Sequence, residues 1–191
     1  MSDSYFSGLG VFLIDTSVSL YLFALMLRFL LQWAEADFYN PISQFLVKLT
    51  HPPLRYMRRL IPSVRRIDTA SLVLMLLLQA VADYLVFALQ QITATPLSLL
   101  LVAVGQLLEL LYNILFYSIL ISVVLSWVAP RGYNPAIKLL YDLTEPLLGF
   151  FRRLLPPMGG IDLSPLVALI ALQFAKMAIM PLLQQMIAVL N

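Results

Sequence analysis

Two stretches of this chain read alike: Asn40–Asp68, NPISQFLVKLTHPPLRYMRRLIPSVRRID, and Asn134–Asp162, NPAIKLLYDLTEPLLGFFRRLLPPMGGID. A shift of 94 positions, without a gap, superposes Asn40-Pro41 on Asn134-Pro135, Thr50 on Thr144 and Pro52 on Pro146. The same shift superposes Arg58-Arg59-Leu60 on Arg152-Arg153-Leu154, Pro62 on Pro156 and Ile67-Asp68 on Ile161-Asp162. The match continues outward, from Trp33 with Trp127 on one side to Gln79 with Gln173 on the other. Trp, Pro and Arg-Arg are too rare to coincide repeatedly at one offset, so the chain is two copies of one unit.

The flanks of each copy are apolar. Of the 191 residues, 61% are hydrophobic and 12% charged, and the mean hydropathy is +0.91; a soluble domain carries about 25% charged residues. A helix needs about 20 mainly apolar residues to cross about 30 Å of hydrocarbon. Four stretches meet this, at about 9–33, 69–90, 103–128 (within 97–128) and 165–183. The fold class expected is therefore an all-α membrane protein with four transmembrane helices. The first repeat covers 1–94, with its basic loop at 34–68. The second covers 95–191, with its loop at 129–164. The third stretch is long enough to be strongly tilted, or to begin outside the hydrocarbon. The first ten residues carry no Lys or Arg, so the first span reads as retained rather than as a cleaved signal.

Each unit crosses twice, so both copies sit the same way up, related by an axis along the membrane normal. Ten of the twelve Lys and Arg lie in the two loops: Lys48, Arg55, Arg58, Arg59, Arg65 and Arg66 in the first, Arg131, Lys138, Arg152 and Arg153 in the second. The positive-inside rule then places both loops in the cytoplasm and both termini outside. Within the first loop, Ile42, Phe45, Leu46 and Leu49 fall on one helical face. Pro41 opens this helix and Pro52-Pro53 closes it near His51, and a second short stretch follows at Leu54–Ile61. The second loop repeats the pattern with Ala136, Leu139, Leu140 and Leu143, then Leu147–Leu155. These read as short amphipathic helices in the membrane plane, with Trp33 and Trp127 as interfacial anchors.

Three groups of side chains are candidates for function. The pairs Arg58-Arg59 and Arg152-Arg153 suit anionic lipid headgroups or an acidic protein partner, or act only as topology signals; nucleic-acid binding is a weaker third reading. Asp68 and Asp162 stand at the entry to a span, where a carboxylate caps free N–H groups and meets the positive end of the helix dipole. Asp15, Gln79, Asp83, Glu109, Asn113, Gln173 and Lys176 form a polar set in the outer third of the spans. That set reads as an ion or proton site between the repeats, or as interhelical glue, with Asp83 and Lys176 as the expected pair by depth. Arg28, near the inner interface, is expected to snorkel. The absence of cysteine and the single histidine, His51, argue against a metal or haem site. No catalytic motif appears, which points to a non-enzyme with no cofactor.

The repeated loops resemble the two signature loops of the YggT family. The resemblance rests on Asn40-Pro41, Thr50-His51-Pro52, Arg58-Arg59-Leu60-Ile61-Pro62 and Ile67-Asp68, with their counterparts Asn134-Pro135, Thr144-Glu145-Pro146, Arg152–Pro156 and Ile161-Asp162. It implies a bacterial inner (plasma) membrane protein without known enzymatic activity. It also implies a link to hyperosmotic stress tolerance and potassium homeostasis; plastid relatives are linked to biogenesis of membrane complexes and to nucleoid distribution. The alternative is a scaffold or assembly factor whose basic loops bind anionic lipids, a membrane-protein partner or a second copy. One departure from internal symmetry is Arg65-Arg66 in the first loop against Gly159-Gly160 in the second.

Overall fold

The computed structural model describes residues 2–63, 67–128, 134–154 and 162–190, with side chains from residue 7 onward. Arg65, Arg66, Arg131, Pro156, Gly159 and Gly160 lie outside the described residues. The described residues form six helices: α1 Ser2–Trp33, α2 Pro41–Leu60, α3 Thr69–Leu89, α4 Pro96–Val128, α5 Pro135–Leu154 and α6 Ser164–Leu190. Four are long and apolar enough to span a membrane, over Ser7–Trp33, Thr69–Leu89, Pro96–Val128 and Ser164–Leu190. The third stretch is thus one unbroken helix of 33 residues, about 50 Å long at 1.5 Å per residue. The fourth runs past the expected end near residue 183 and carries Pro181 inside it.

The Asn-Pro pairs start the loop helices. Asn40 caps α2, its Oδ1 accepting from Ile42 N at 2.9 Å, and Asn134 does the same for α5 through Ala136 N at 2.9 Å. Proline then occupies the first helical position, where its missing N–H costs nothing. The expectation of two short helices per loop is corrected: α2 runs through Pro52 and Pro53, and α5 through Pro146. Thr50 and Thr144 stand two residues before these prolines and back-bond into the preceding turn. Thr50 Oγ1 donates to Leu46 O at 2.6 Å and Thr144 Oγ1 to Leu140 O at 3.0 Å. Tertiary packing on both sides of the break carries the helix through it, because Leu46, Thr50 and Leu54 are all buried.

The apolar residues of α2 divide between two faces. Ser43, Leu46, Thr50 and Leu54 face the bundle, whereas Ile42, Phe45 and Leu49 remain exposed. In α5 the buried set is Leu139, Leu143, Thr144 and Leu148.

Within each repeat the first span, the loop helix and the second span pack on one another: α1, α2 and α3 in the first, α4, α5 and α6 in the second. Between repeats, α4 packs on α1 and α3, and α5 on α1 and α2. The main core gathers Leu22, Leu25 and Met26 of α1, Leu54 of α2, Met75 of α3 and Ile114 of α4. A smaller one joins Ile119, Leu148 and Ala168. At the loop end, Asn40 Nδ2 donates to Pro135 O at 2.8 Å and Lys138 Nζ pairs with Asp37 at 2.6 Å, tying the starts of the two loop helices together. Helices α1 and α3 stop at left-handed residues, Glu35 (φ 54) and Gln91 (φ 58). Ala36 N and Ile92 N reach back to Leu31 O and Phe87 O, at 3.0 and 2.9 Å, closing each helix in a Schellman pattern.

Candidate functional site

The structure splits each arginine pair. Arg58 pairs with Asp68 at 2.5 Å, and its counterpart Arg152 pairs with Asp162 at 3.1 Å. Arg59 and Arg153 are exposed, with no side-chain partner among the described residues. Each first arginine therefore clamps the end of its loop helix to the start of the following span, and each second arginine faces outward. The two clamps differ in burial: the Asp68 side chain is 1% exposed and that of Asp162 is 47% exposed. Arg152 compensates with a second carboxylate, Glu145, at 2.8 Å.

The expected capping role holds for one aspartate only. Asp162 Oδ1 accepts from Ser164 N at 2.9 Å and from the Ser164 hydroxyl. Asp68 makes no side-chain cap; its Oδ2 accepts from the Ser71 hydroxyl at 2.7 Å and from Arg58. Burial alone raises the Asp68 carboxyl, but the hydrogen bonds from Arg58 and Ser71 outweigh it and hold it below the usual carboxylate range. The Ser164 hydroxyl does the same for Asp162, and Lys138 for Asp37. Carboxyls lowered on folding stabilise the fold above their unfolded value, near 3.9, and lose that contribution as pH falls through the folded value. Thermal stability of the purified protein should be flat from pH 8 to about 5 and fall below about pH 4. In Asp68→Asn that acid slope should be shallower.

Two cavities sit at equivalent places in the repeats. The first, about 480 Å³, is bounded by the loop end of α1, by α2 and by Asp68. The second, about 510 Å³, is bounded by α4, α5 and the start of α6, with Arg152 and Asp162 in its wall. Sequence reading missed the residue that most distinguishes them. Arg28 does not snorkel: it is 7% exposed, and its Nη1 donates to Thr50 Oγ1 on α2 at 2.7 Å. The 94-residue offset puts Ser122 in its place, with the hydroxyl bonded to its own helix at Ile119 O.

Helices α2 and α5 have diverged on the outside as well. Successive helical residues turn by about 100°, so Lys48, His51, Arg55 and Arg59 share one side of α2, next to the exposed stripe Ile42, Phe45, Leu49 and Tyr56. The matching side of α5 reads Asp142, Glu145, Gly149 and Arg153. The cationic side belongs to the first repeat alone.

The polar residues of the spans fall into two separate groups. On α3 and α4, Gln79 Nε2 donates to Asp83 Oδ1 at 3.0 Å and hydrogen-bonds Gln106 across the repeat boundary. On α4 and α6, Lys176 Nζ donates to Glu109 Oε1 at 2.9 Å and lies 4.5 Å from the centre of the Tyr112 ring. The Tyr112 hydroxyl donates to Gln173 at 2.5 Å. The expected pairing of Asp83 with Lys176 is corrected, because α4 lies between α3 and α6, which do not touch. Matched depth gave the right level and the wrong partner. Among the described residues, Asp15 and Asn113 join neither group through a hydrogen bond.

Comparison with known proteins agrees with this architecture. The chain is 43% identical over 172 residues to "Uncharacterized protein PA0392" of Pseudomonas aeruginosa, covering 89% of this chain and 87% of that protein. It is 39% identical over 176 residues to YggT of Escherichia coli K12, covering 91% and 90%. A shorter match, 37% over 60 residues, links it to "YlmG homolog protein 2, chloroplastic" of Arabidopsis thaliana, covering 31% and 24%. No solved structure matches the chain. The CCB3/YggT family model matches twice, over residues 8–90 and 101–183, once for each helix–loop helix–helix unit, and the chain belongs to this family.

Proposed function

We propose that this protein is a non-enzymatic scaffold of the bacterial plasma membrane that engages anionic lipid through its first loop helix, with both loops in the cytoplasm and both termini outside. The observation that carries this reading is the three-sided character of α2. One side is buried in the bundle, a second exposes Ile42, Phe45, Leu49 and Tyr56, and a third presents Lys48, Arg55 and Arg59. A helix so divided suits the boundary between headgroups and acyl chains, with its cations toward lipid phosphates. A role in potassium homeostasis under hyperosmotic stress is the other reading, from family resemblance. The polar groups of the spans bond mainly to one another across helix contacts, which favours the scaffold.

The test uses the full chain reconstituted in vesicles. Changing Lys48, Arg55 and Arg59 to Gln should abolish preferential retention of phosphatidylglycerol over phosphatidylcholine. The native preference should weaken several-fold between 50 and 500 mM salt. Potassium flux through vesicles holding the native protein, with no anionic-lipid preference, would favour the ion reading instead.

A further inference from the structure

The cavity of the first repeat contains more unused hydrogen-bonding capacity than a packed protein leaves without a purpose. Ser43 and Asp68 both line it, and the buried Ser43 Oγ and Asp68 Oδ1 have no hydrogen-bond partner among the described residues. Arg28 lines it too. Its guanidinium offers five N–H donors, and among the described residues only the one to Thr50 is used. Arg58 stands at the same wall, pairing with the other oxygen of Asp68. Buried polar groups are nearly always satisfied, and each exception needs an explanation. Here three converge on one space of about 480 Å³, within the range of small-molecule sites.

We propose that this cavity binds the headgroup of an aminophospholipid, with the phosphate on Arg28 and Arg58 and the ammonium on Asp68 Oδ1 and Ser43 Oγ. Charge decides the class. Among the described residues that line it, two guanidinium groups, Arg28 and Arg58, stand against two carboxylates, Glu35 and Asp68, so charges of both signs share the space in equal number. A net anion would meet the free oxygen of Asp68, and a net cation would meet two arginines. A zwitterion satisfies both ends, and planar guanidinium groups match a phosphate. The remaining wall explains why the zwitterion is a lipid: Leu31, Ala36, Phe38 and Leu46 make it apolar where a glycerol backbone and acyl chains would lie. This site is separate from the outward cations of α2, which do not line the cavity.

The second repeat supplies the internal contrast. Ser122 replaces Arg28, and Arg152 is held by two carboxylates, Glu145 and Asp162. No buried polar atom there lacks a partner among the described residues. One headgroup per chain is expected, not two.

Purified full-length protein is titrated in detergent with phosphatidylethanolamine, its N-methyl and N,N-dimethyl forms, phosphatidylcholine and phosphatidylglycerol, and native mass spectrometry reads lipid bound per chain. One phosphatidylethanolamine should be retained. Affinity should fall stepwise with methylation, by about tenfold or more at phosphatidylcholine, which has no N–H donor left. Arg28→Gln should lower it at least about tenfold. Because Arg28→Gln also removes a bond to Thr50, Ser43→Ala is the cleaner variant. It should weaken binding about three- to tenfold while leaving the melting temperature of lipid-free protein unchanged or raised, since it deletes an unpaired buried hydroxyl. The triple variant of Lys48, Arg55 and Arg59 should bind phosphatidylethanolamine as the native chain does, so this site and the anionic-lipid reading fail separately. Equal retention of phosphatidylethanolamine and phosphatidylcholine, or unchanged binding in Ser43→Ala, would overturn the proposal. So would displacement of the lipid by free phosphoethanolamine at equal concentration, which would make the ligand a soluble one.

Discussion

Arg58→Ala is expected to destabilise the protein by about 2–3 kcal/mol, and Arg152→Ala by less than about 1 kcal/mol. The two positions are equivalent in sequence, and each arginine clamps the equivalent aspartate. What differs is where the orphaned carboxylate is left. Asp68 is 1% exposed, and without Arg58 it keeps, among the described residues, only Ser71 as a side-chain partner. Breaking a buried pair typically costs 3–5 kcal/mol; the smaller figure here allows for Arg58 being itself 37% exposed. Asp162 is half exposed and keeps Ser164, so its loss falls in the range of surface ion pairs. Thermal or denaturant unfolding of the two variants in detergent checks the ratio. Equal losses would contradict the difference in burial.

The second large effect lies inside the spans. Glu109 is 52% exposed and Lys176 28%, but both stand on spanning helices, where the exposed surface meets lipid rather than water. Lys176→Met should therefore cost about 2–3 kcal/mol by leaving a lone carboxylate there. Glu109→Gln combined with Lys176→Met should recover most of that loss, since neutralising both partners leaves nothing unpaired. Asp83→Asn combined with Lys176→Met should not recover it, because Asp83 bonds to Gln79 on its own helix. The yield of folded protein and its melting temperature distinguish the two double variants. Rescue through Asp83 would place α3 against α6 and overturn the helix arrangement.

Much of the fold was legible in the sequence because the signals were local or repeated. The apolar spans and the opening of α2 at Pro41 depend on neighbouring residues alone, and the 94-residue offset declares itself by repetition. The loop helices were legible in position but not in extent. Proline reads as a stop, and only tertiary burial of Leu46, Thr50 and Leu54 explains why α2 continues through Pro52 and Pro53. Which residues of α2 face the protein was not legible for a related reason. Leu46 turns into the bundle, whereas Ile42, Phe45 and Leu49, at neighbouring angles on the same helix, are turned away from the protein. Partners were the least legible. Sequence depth placed Lys176 and Asp83 at one level, but which helix lies between them is a property of the assembled bundle. Arg28 looked like a snorkelling residue because its partner Thr50 is 22 positions away on another helix. The comparison with Ser122 at the same place in the other repeat was the one signal that marked it as special.

The central claim is that the two units stand the same way up, with both loop helices at the cytoplasmic surface. Because the chain has no cysteine, single cysteines can be read without background, using an impermeant thiol reagent on intact cells. Cysteines at Ser2, Thr93 and Asn191 should be labelled from outside, and cysteines at Ser63 and Leu154, one at each loop, should be labelled only after the cells are opened. Labelling at Ser63 or Leu154 in intact cells would contradict the account.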